Sequence, residues 1–179
     1  LTPTVRDAAR SAMQQQTANE AVEVLGVGQD RYGRVPAGVT FIQTPQPVSV
    51  GVARNIGAAH ARGEYLLFLD ADCIAVPALV AHVLAAHRAG YDAVGGSVRL
   101  EPTDRWVQAD NLLVFGDHLN TLPAGPRQFL PGFCFSVHRA AYDTVGGFDP
   151  RFVGAAGGDD GDFCLRLLAA GFRLWFAPE

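Results

Sequence analysis

The sequence predicts an α/β fold with an open, mostly parallel sheet and helices on both faces. Two observations lead to this prediction. Short apolar runs of strand length alternate along the chain with segments whose apolar residues have helical spacing. The run Tyr65–Leu69 is also continuously apolar, as expected for a strand that is covered on both sides. A chain of 179 residues has the length of one domain, and no repeat or linker divides it.

The first hundred residues alternate between helical and extended patterns. Residues 4–16 have helical spacing, and Thr2 or Thr4 can cap their start. Ser49 can cap a second helix that Gly63 ends, and Gly90 ends a third. The predicted elements are, in order, a helix at 4–16, strands at 21–27 and 39–42, a helix at 49–62, a strand at 65–69, a helix at 77–89 and a strand at 93–100.

The second half of the sequence is less regular. Pro131 and Gly132 interrupt an apolar stretch over residues 129–137, so its structure is ambiguous. A weak pattern indicates a helix at 106–119, and clearer patterns predict helices at 139–145 and 159–170 and a strand at 172–176.

Composition excludes several classes of protein. The net charge is −4 and the basic residues are dispersed, which argues against a nucleic-acid partner. Cys73, Cys134 and Cys164 lie in apolar surroundings without a Cys-x-x-Cys pair, so they predict buried thiols and a reducing, cytoplasmic setting. No apolar run reaches the roughly 18 residues of a membrane span. Any membrane association, at the inner face, is expected to come from segments outside this chain.

The five histidines are predicted to be surface residues. His82 and His87 fall on the polar side of the helix at 77–89, and His60 lies near a helix end. His118 and His138 have no ligand-like partner in the sequence either.

Asp70-Ala71-Asp72 is the strongest candidate for a metal site. Both carboxylates follow a buried strand, and residues i and i+2 of an extended segment point to the same side. Both carboxylates can therefore converge on one cation, which can in turn carry phosphates. The alternative is that the two aspartates only end the strand and form a turn. In open α/β sheets, ligands bind beyond the carboxyl ends of the strands, where this pair lies.

Four blocks together resemble the family 2 glycosyltransferases, which have the GT-A fold. They occur in the family's order with plausible spacing. The blocks are residues 51–57 (GVARNIG), 61–72 (ARGEYLLFLDAD), 146–152 (GGFDPRF) and 158–163 (GDDGDF).

The resemblance implies an inverting transfer of a sugar from a nucleotide-diphosphate sugar to an acceptor hydroxyl, assisted by Mg²⁺ or Mn²⁺. By analogy with the family, Asp70 lies near the donor's ribose, and Asp72 binds the cation that bridges the two phosphates. Arg54 resembles a basic residue near the donor nucleotide, although an exposed helix arginine is the alternative. Asn55 is expected to belong with Arg54 and Asp70 to the residues that bind the donor, where it either orients the loop after Asp72 or caps locally. The acceptor is a surface glycan, a lipid-linked sugar or a small metabolite.

Asp160 matches the catalytic base of the family, which takes the proton of the acceptor hydroxyl. Asp159 occupies the position of the commoner Glu and is expected near the acceptor or Arg166. The alternative is that Asp159 caps the following helix together with Asp162. Gly132 matches the segment that lines the acceptor side in relatives.

The sequence also departs from the family. Relatives begin with a strand that is not found here, and they have an Asp pair after the second strand, where this chain offers only Asp30. A histidine that often completes the metal site after the last strand is not found either. These departures predict a domain that is incomplete at both ends. They also leave open a catalytically degenerate module that binds a metal nucleotide or a partner protein. A nucleotidyltransferase is disfavoured because no glycine-rich, basic phosphate loop is seen.

Overall fold

The structure is a computed structural model that describes residues 4–15, 20–100, 104–153 and 158–178. The predicted cap Thr2 and the predicted helix end at Gln16 lie outside these residues. The elements are α1 (Val5–Met13), β1 (Leu25–Gly28), β2 (Thr40–Gln43), α2 (Val50–His60), β3 (Tyr65–Leu69), α3 (Leu79–Arg88), β4 (Ala93–Gly96), α4 (Arg105–Phe115), a 3-10 helix (Gly116–His118), β5 (Gly125–Pro126), β6 (Cys134–His138), α5 (Arg139–Val145), α6 (Asp159–Ala169) and β7 (Leu174–Ala177).

The described strands form two sheets. β1 and β2 pair in parallel, and the larger sheet has the order β3-β6-β4-β7-β5. Within it, β4 and β7 are parallel, whereas β6 is antiparallel to both β3 and β4, and β5 is antiparallel to β7. The predicted α/β class is confirmed, but the larger sheet is mixed in direction. No helix is described between β5 and β6, so β6 does not enter the sheet through the helical crossover that parallel pairing requires.

The strand directions bring several strand ends and loops together at one edge of the larger sheet. Since β3 and β4 are both antiparallel to β6, they point the same way, and β7 points with them. The carboxyl ends of these three strands therefore lie at the same edge as the amino end of β6. Asp70 follows β3 there, and the loop containing Gly132 precedes β6.

The core lies where α5 and α6 cover the larger sheet. Four phenylalanines from different parts of the chain are almost fully buried and pack together with aliphatic side chains of the strands. The rings of Phe148 and Phe163 are stacked with centroids 4.4 Å apart, and Phe163 also contacts Phe135 of β6. This packing fixes the start of α6 relative to β6. The four are Phe135, Phe148, Phe163 and Phe176.

Local signals in the sequence predicted most helix ends to within a few residues. Thr4 caps α1 in a capping box with Asp7, and Gly146 ends α5 with a φ of 78°. Ser49 occupies the N-cap position of α2 but makes no side-chain capping bond. Among the described residues, no helix is both long and apolar enough to span a bilayer.

The surface prediction is wrong for His87 and His118, which are both buried. The His87 ring contacts the Tyr91 carbonyl oxygen at 2.8 Å and the Ser136 hydroxyl at 2.9 Å, and burial lowers its pKa. These partners lie on the sheet and beyond the helix, so the polarity of α3 alone does not indicate them.

Candidate active site

Asp70 and Asp72 lie on the turn that follows β3. The Asp70 amide donates to the Phe133 carbonyl oxygen at 3.0 Å, and the Cys73 amide donates to the Asp70 carbonyl oxygen at 3.0 Å. This turn leaves Asp72 exposed and Asp70 half-buried. The prediction that both carboxylates directly follow a strand is confirmed, but β3 is the outermost described strand of the larger sheet and only its Leu66 is buried, so the expected cover on both sides is wrong.

Arg54 is the central cation of the site. One terminal nitrogen, Nη2, donates to Asp70 Oδ1 at 3.0 Å and to the Gly132 carbonyl oxygen at 2.9 Å. The other, Nη1, donates to Asp159 Oδ2 at 3.1 Å. Its side chain is only 10% exposed, and the guanidinium lies 5.1 Å from the centre of the Phe148 ring. The alternative of a solvated helix arginine is therefore wrong.

The carbonyl oxygen and the amide of Gly132 both form hydrogen bonds with side chains of the site. Its carbonyl accepts from Arg54, while its amide donates to Asp160 Oδ2 at 3.0 Å. A Cβ atom at this position would lie 2.5 Å from Arg54 Nη2, closer than any real contact. A larger residue here would force the guanidinium to move, so glycine allows its close approach to the backbone. The residue therefore connects the arginine to the predicted base.

The two acids at the start of α6 point to different partners. Gly158, with a φ of 97°, is the N-cap of α6, so Asp159 is its first residue and makes no capping bond. Asp159 instead pairs with Arg54, and the predicted contact with Arg166 is not made. Arg166 pairs with Asp162 at 2.7 Å. The capping alternative for Asp159 and Asp162 is thus wrong, although both still complement the helix dipole.

Asp160 is oriented by two backbone amides. Oδ2 accepts from Gly132 at 3.0 Å and Oδ1 accepts from Gly161 at 2.9 Å. A carboxylate offers about four lone-pair positions, so two remain for other donors. No ion pair to Asp160 is found among the described residues, in contrast to Asp159.

The electrostatics separate the four carboxylates into two classes. Asp70 and Asp159 share the positive charge of Arg54, whereas Asp72 and Asp160 have no ion pair within the described ranges. Burial raises the pKa of Asp70, Arg54 opposes this, and the charges of Asp72 and Asp159 add to the rise. Both unpaired carboxylates are thus available for chemistry or for a cation.

Asn55 does not face this cluster. Its side-chain amide donates to the Phe148 carbonyl oxygen at 2.7 Å, and its oxygen accepts from the Phe148 amide at 2.9 Å and from the Tyr142 hydroxyl at 2.5 Å. These three contacts occupy both ends of the amide. The prediction that Asn55 binds the donor or orients the loop after Asp72 is therefore replaced by a structural role at the turn before Phe148.

Asp30 is also occupied by its own loop. Its carboxylate accepts from the amides of Arg34 at 2.8 Å and Val35 at 2.9 Å, and these backbone bonds lower its pKa. The structure thus assigns Asp30 to shaping the loop after β1, and gives no support to a contact with a nucleotide base.

The donor chemistry of the site fits a divalent cation. Asp70 and Asp72 supply hard oxygen ligands, and no group of three or more metal-ligating side chains is found in the described part of the chain. Mg²⁺ and similar ions at nucleotides need only one or two carboxylates, because phosphate oxygens and water complete their shell. The exposed position of Asp72 suits such a shared site.

Sequence reasoning missed the ion pairs of Arg54 and the closeness of Gly51 to Asp159. A Cβ at Gly51 would meet Asp159 Oδ2 at 3.3 Å, so this glycine lets α2 approach α6. The only signal in the sequence was that Gly51 and Arg54 share one of the four blocks.

Comparison with known proteins identifies the family of this domain. The model of glycosyl transferase family 2 matches residues 30–146, more than half of the chain. The chain belongs to glycosyl transferase family 2. The predicted family is thereby confirmed, and the domain is a glycosyltransferase domain.

Curated relatives support the same family. Pre-mycofactocin glycosyltransferase from Mycobacterium tuberculosis, in strains CDC 1551 and H37Rv, is 26% identical over 156 residues. The match covers 78% of this chain but 31% of the relatives, so the chain spans about a third of their length.

Solved structures share the fold of this glycosyltransferase domain. GalNAc-T7 with UDP, GalNAc and Mn²⁺ has a TM-score of 0.69 at 15% identity, covering 96% of this chain and 39% of that protein. The mannosyltransferase PcManGT from Pyrobaculum calidifontis, in complex with GDP-Man and Mn²⁺, has a TM-score of 0.68 at 17% identity, covering 98% and 51%. The predicted GT-A fold is therefore confirmed.

Proposed function

We propose that this domain transfers a sugar from a nucleotide-diphosphate sugar to an acceptor hydroxyl with inversion at the anomeric carbon. The observation that carries the proposal is the chain of contacts from Asp70 through Arg54 and Gly132 to Asp160. It brings the predicted donor-side acid and the predicted base to one edge of the sheet, as a single displacement requires.

Asp72, with Asp70 beside it, would hold Mn²⁺ or Mg²⁺. The cation would act as a Lewis acid that stabilises the negative charge of the departing diphosphate. Support comes from the exposed carboxylate of Asp72 and from the two structural neighbours, whose structures contain Mn²⁺ with UDP and GalNAc or with GDP-Man. These neighbours make UDP- and GDP-sugars the first donors to test.

Asp160 would act as the general base. The acceptor oxygen attacks the anomeric carbon, the bond from that carbon to the diphosphate oxygen breaks, and the hydroxyl proton moves to an oxygen of Asp160. Its two backbone hydrogen bonds fix the carboxylate before the acceptor arrives, and they cannot neutralise its charge. Because the acceptor displaces the diphosphate directly, without a covalent intermediate on the protein, the configuration at the anomeric carbon is inverted.

Arg54 would hold Asp70 and Asp159 in place through its hydrogen bonds to both carboxylates, without contacting the reacting atoms. Asp159 would thereby orient the start of α6 through its bond to Arg54. We assign both a positioning role, which refines the expectation that Arg54 touches the donor nucleotide and that Asp159 touches the acceptor.

A second candidate is a module that binds a metal nucleotide or a partner protein without turnover. The observation that favours it is the Asp30 carboxylate, which is occupied by its own loop and offers no contact to a base. The intact Asp72 and Asp160 favour the enzyme.

The decisive experiment measures sugar transfer and donor hydrolysis by the full-length protein with Mn²⁺. Donors are UDP-GalNAc and GDP-mannose, and acceptors include glycans, lipid-linked sugars and small molecules. Asp160→Asn should lower the rate about 10²- to 10⁴-fold, the usual contribution of general-base assistance. Asp162→Asn is the matched control, because Asp162 lies in the same helical turn but pairs with Arg166.

Two results would contradict the proposal. A full-length wild-type protein that binds Mn²⁺ and UDP or GDP without turnover supports the binding module. A product with retained anomeric configuration, observed by NMR, excludes the inverting mechanism.

A further inference from the structure

The C-terminal end of α1 makes an unusual set of polar contacts with the segment that follows Asp72. We propose that Ser11 and Gln15 are positioning residues that hold the metal-binding turn in place. Neither belongs to the four blocks that carry the family resemblance. The inference rests on the proposed function, because it assigns the turn its role in holding a cation.

Ser11 binds the segment directly. Its hydroxyl accepts from the Ala75 amide at 2.9 Å and donates to the Ala8 carbonyl oxygen within α1 at 2.7 Å. Ser11 is buried, and Ala75 belongs to a hydrophobic cluster with Leu79. The Ala75 amide would be left without this partner in an apolar surrounding if the hydroxyl were removed.

Gln15 makes three contacts through one amide group. Nε2 donates to the Ser11 carbonyl oxygen at 3.1 Å and to the Val76 carbonyl oxygen at 2.9 Å. Oε1 accepts from the Val80 amide at 3.2 Å. The side chain therefore clamps residues 76 and 80 to the end of α1, and Gln15 is itself only 7% exposed.

The contact with Val80 replaces a missing helix cap. The N-cap of α3 is Ala78, which has no side chain that can accept a hydrogen bond. Val80 is the second residue of α3, and its amide is one of those that an N-cap side chain normally binds. A residue 65 positions earlier supplies that oxygen. Gln15 thus fixes the start of α3 from outside the helix.

These contacts determine where Asp72 can lie. On one side, the Asp70 amide attaches the turn to the carbonyl oxygen of Phe133, the residue before β6. On the other, the Cys73 amide closes the turn on the Asp70 carbonyl oxygen, and the first described hydrogen bond to a residue outside the turn is that of the Ala75 amide, three residues after Asp72. Between these two anchors Asp72 and Ile74 are exposed and have no core packing of their own. The anchors on the two sides of the turn therefore limit the positions that Asp72 can take.

An anchored turn binds a cation more tightly than a loose one, because less order must be gained on binding. Losing one buried hydrogen bond at the anchor should weaken the apparent affinity for Mn²⁺ and nucleotide roughly three- to tenfold. The maximal rate with saturating Mn²⁺ should change little, since Asp160 and its backbone donors are not touched.

The test uses the full-length protein with Gln15→Met, which keeps the length of the side chain, and with Ser11→Ala. Gln108→Met is the matched control, because Gln108 is exposed on α4. Two quantities are measured. Hydrogen exchange of residues 71–80 is followed without ligand, and binding of Mn²⁺ with UDP or GDP is titrated by calorimetry.

The proposal expects faster exchange at residues 71–80 in both variants, unchanged exchange in α6, and weaker binding. Unchanged exchange at 71–80 overturns the anchor. Faster exchange with wild-type affinity overturns the role in cation binding. If the wild-type protein binds no Mn²⁺ with either nucleotide, the proposed function fails and the positioning role with it, while the exchange data still decide whether α1 anchors the turn. A uniform rise in exchange throughout the protein contradicts a local role.

Discussion

Replacing Arg54 with glutamine removes the guanidinium that lies between Asp70 and Asp159. Both carboxylates then lose their counter-charge. The Asp70 side chain is 40% exposed, but that of Asp159 is only 13% exposed, so the Asp159 charge is left unpaired in a nearly buried position. Removing one partner of a buried ion pair typically destabilises a protein by about 3–5 kcal/mol. Because Asp70 is partly hydrated, we expect about 3 kcal/mol for Arg54→Gln at pH 7.

The loss should depend on pH with a definite sign. The pKa of Asp70 is already raised by burial in the wild-type protein, and removal of Arg54 raises it further. A carboxyl whose pKa is higher in the folded state gains stability on protonation. This gain is complete below the unfolded pKa of about 3.9, and it is lost as the pH rises through the folded value. The stability difference between wild type and Arg54→Gln should therefore shrink as the pH falls from 7 towards 4.

The assay is equilibrium unfolding in urea at pH 7 and pH 5. Arg62→Gln is the control, since the Arg62 side chain is 87% exposed and pairs with Glu23, where an ion pair contributes about 0–1 kcal/mol. The double variant Arg54→Gln/Asp159→Asn should recover part of the loss, because the charge left unpaired is then removed. If Arg54→Gln costs no more than Arg62→Gln, or if the loss is equal at both pH values, the buried charge cluster does not exist as described.

Two further predictions concern the same edge of the sheet. Gly132→Ala should lower the transfer rate at least tenfold, since the new Cβ would lie 2.5 Å from Arg54 Nη2 and must displace the guanidinium; wild-type kinetics would contradict this. Asp72→Asn should abolish Mn²⁺-dependent activity but leave the melting temperature within about 2 °C of wild type, because surface substitutions usually change stability by less than about 0.5 kcal/mol. A large loss of stability, or activity that persists with Mn²⁺, would show that Asp72 has a structural role.

The elements with strong local signals were predictable. β3 and α5 match their predicted bounds, and most other predicted helices differ by a few residues at their ends. β3 is a short apolar run between polar segments, and Gly146 provides a left-handed end to α5. The stretch at 129–137 could not be interpreted, since its first residues form a loop and only Cys134–His138 form β6. Its antiparallel pairing depends on neighbours far along the chain.

The candidate site likewise contains some features that the sequence predicted and others that it did not. Asp70, Asp72 and Asp160 could be selected because their types and spacing resemble the family. In the structure, Arg54 and Gly132 link Asp70 to Asp160 through hydrogen bonds. The burial of Arg54 and the occupied amide of Asn55 could not be inferred, because adjacent residues on a helix point in directions about 100° apart. Which of them faces the site depends on how α2 packs.

The sequence by itself determined the family, the α/β class and the identity of the acids, because these depend on local pattern and residue type. Only the tertiary structure decided which acids share a positive charge, which backbone amides hold Asp160, and which distant side chains anchor the turn after β3. Those properties arise from atoms brought together across separations such as the 105 residues between Arg54 and Asp159. No local pattern specifies such contacts, since they depend on how the helices pack against the sheet.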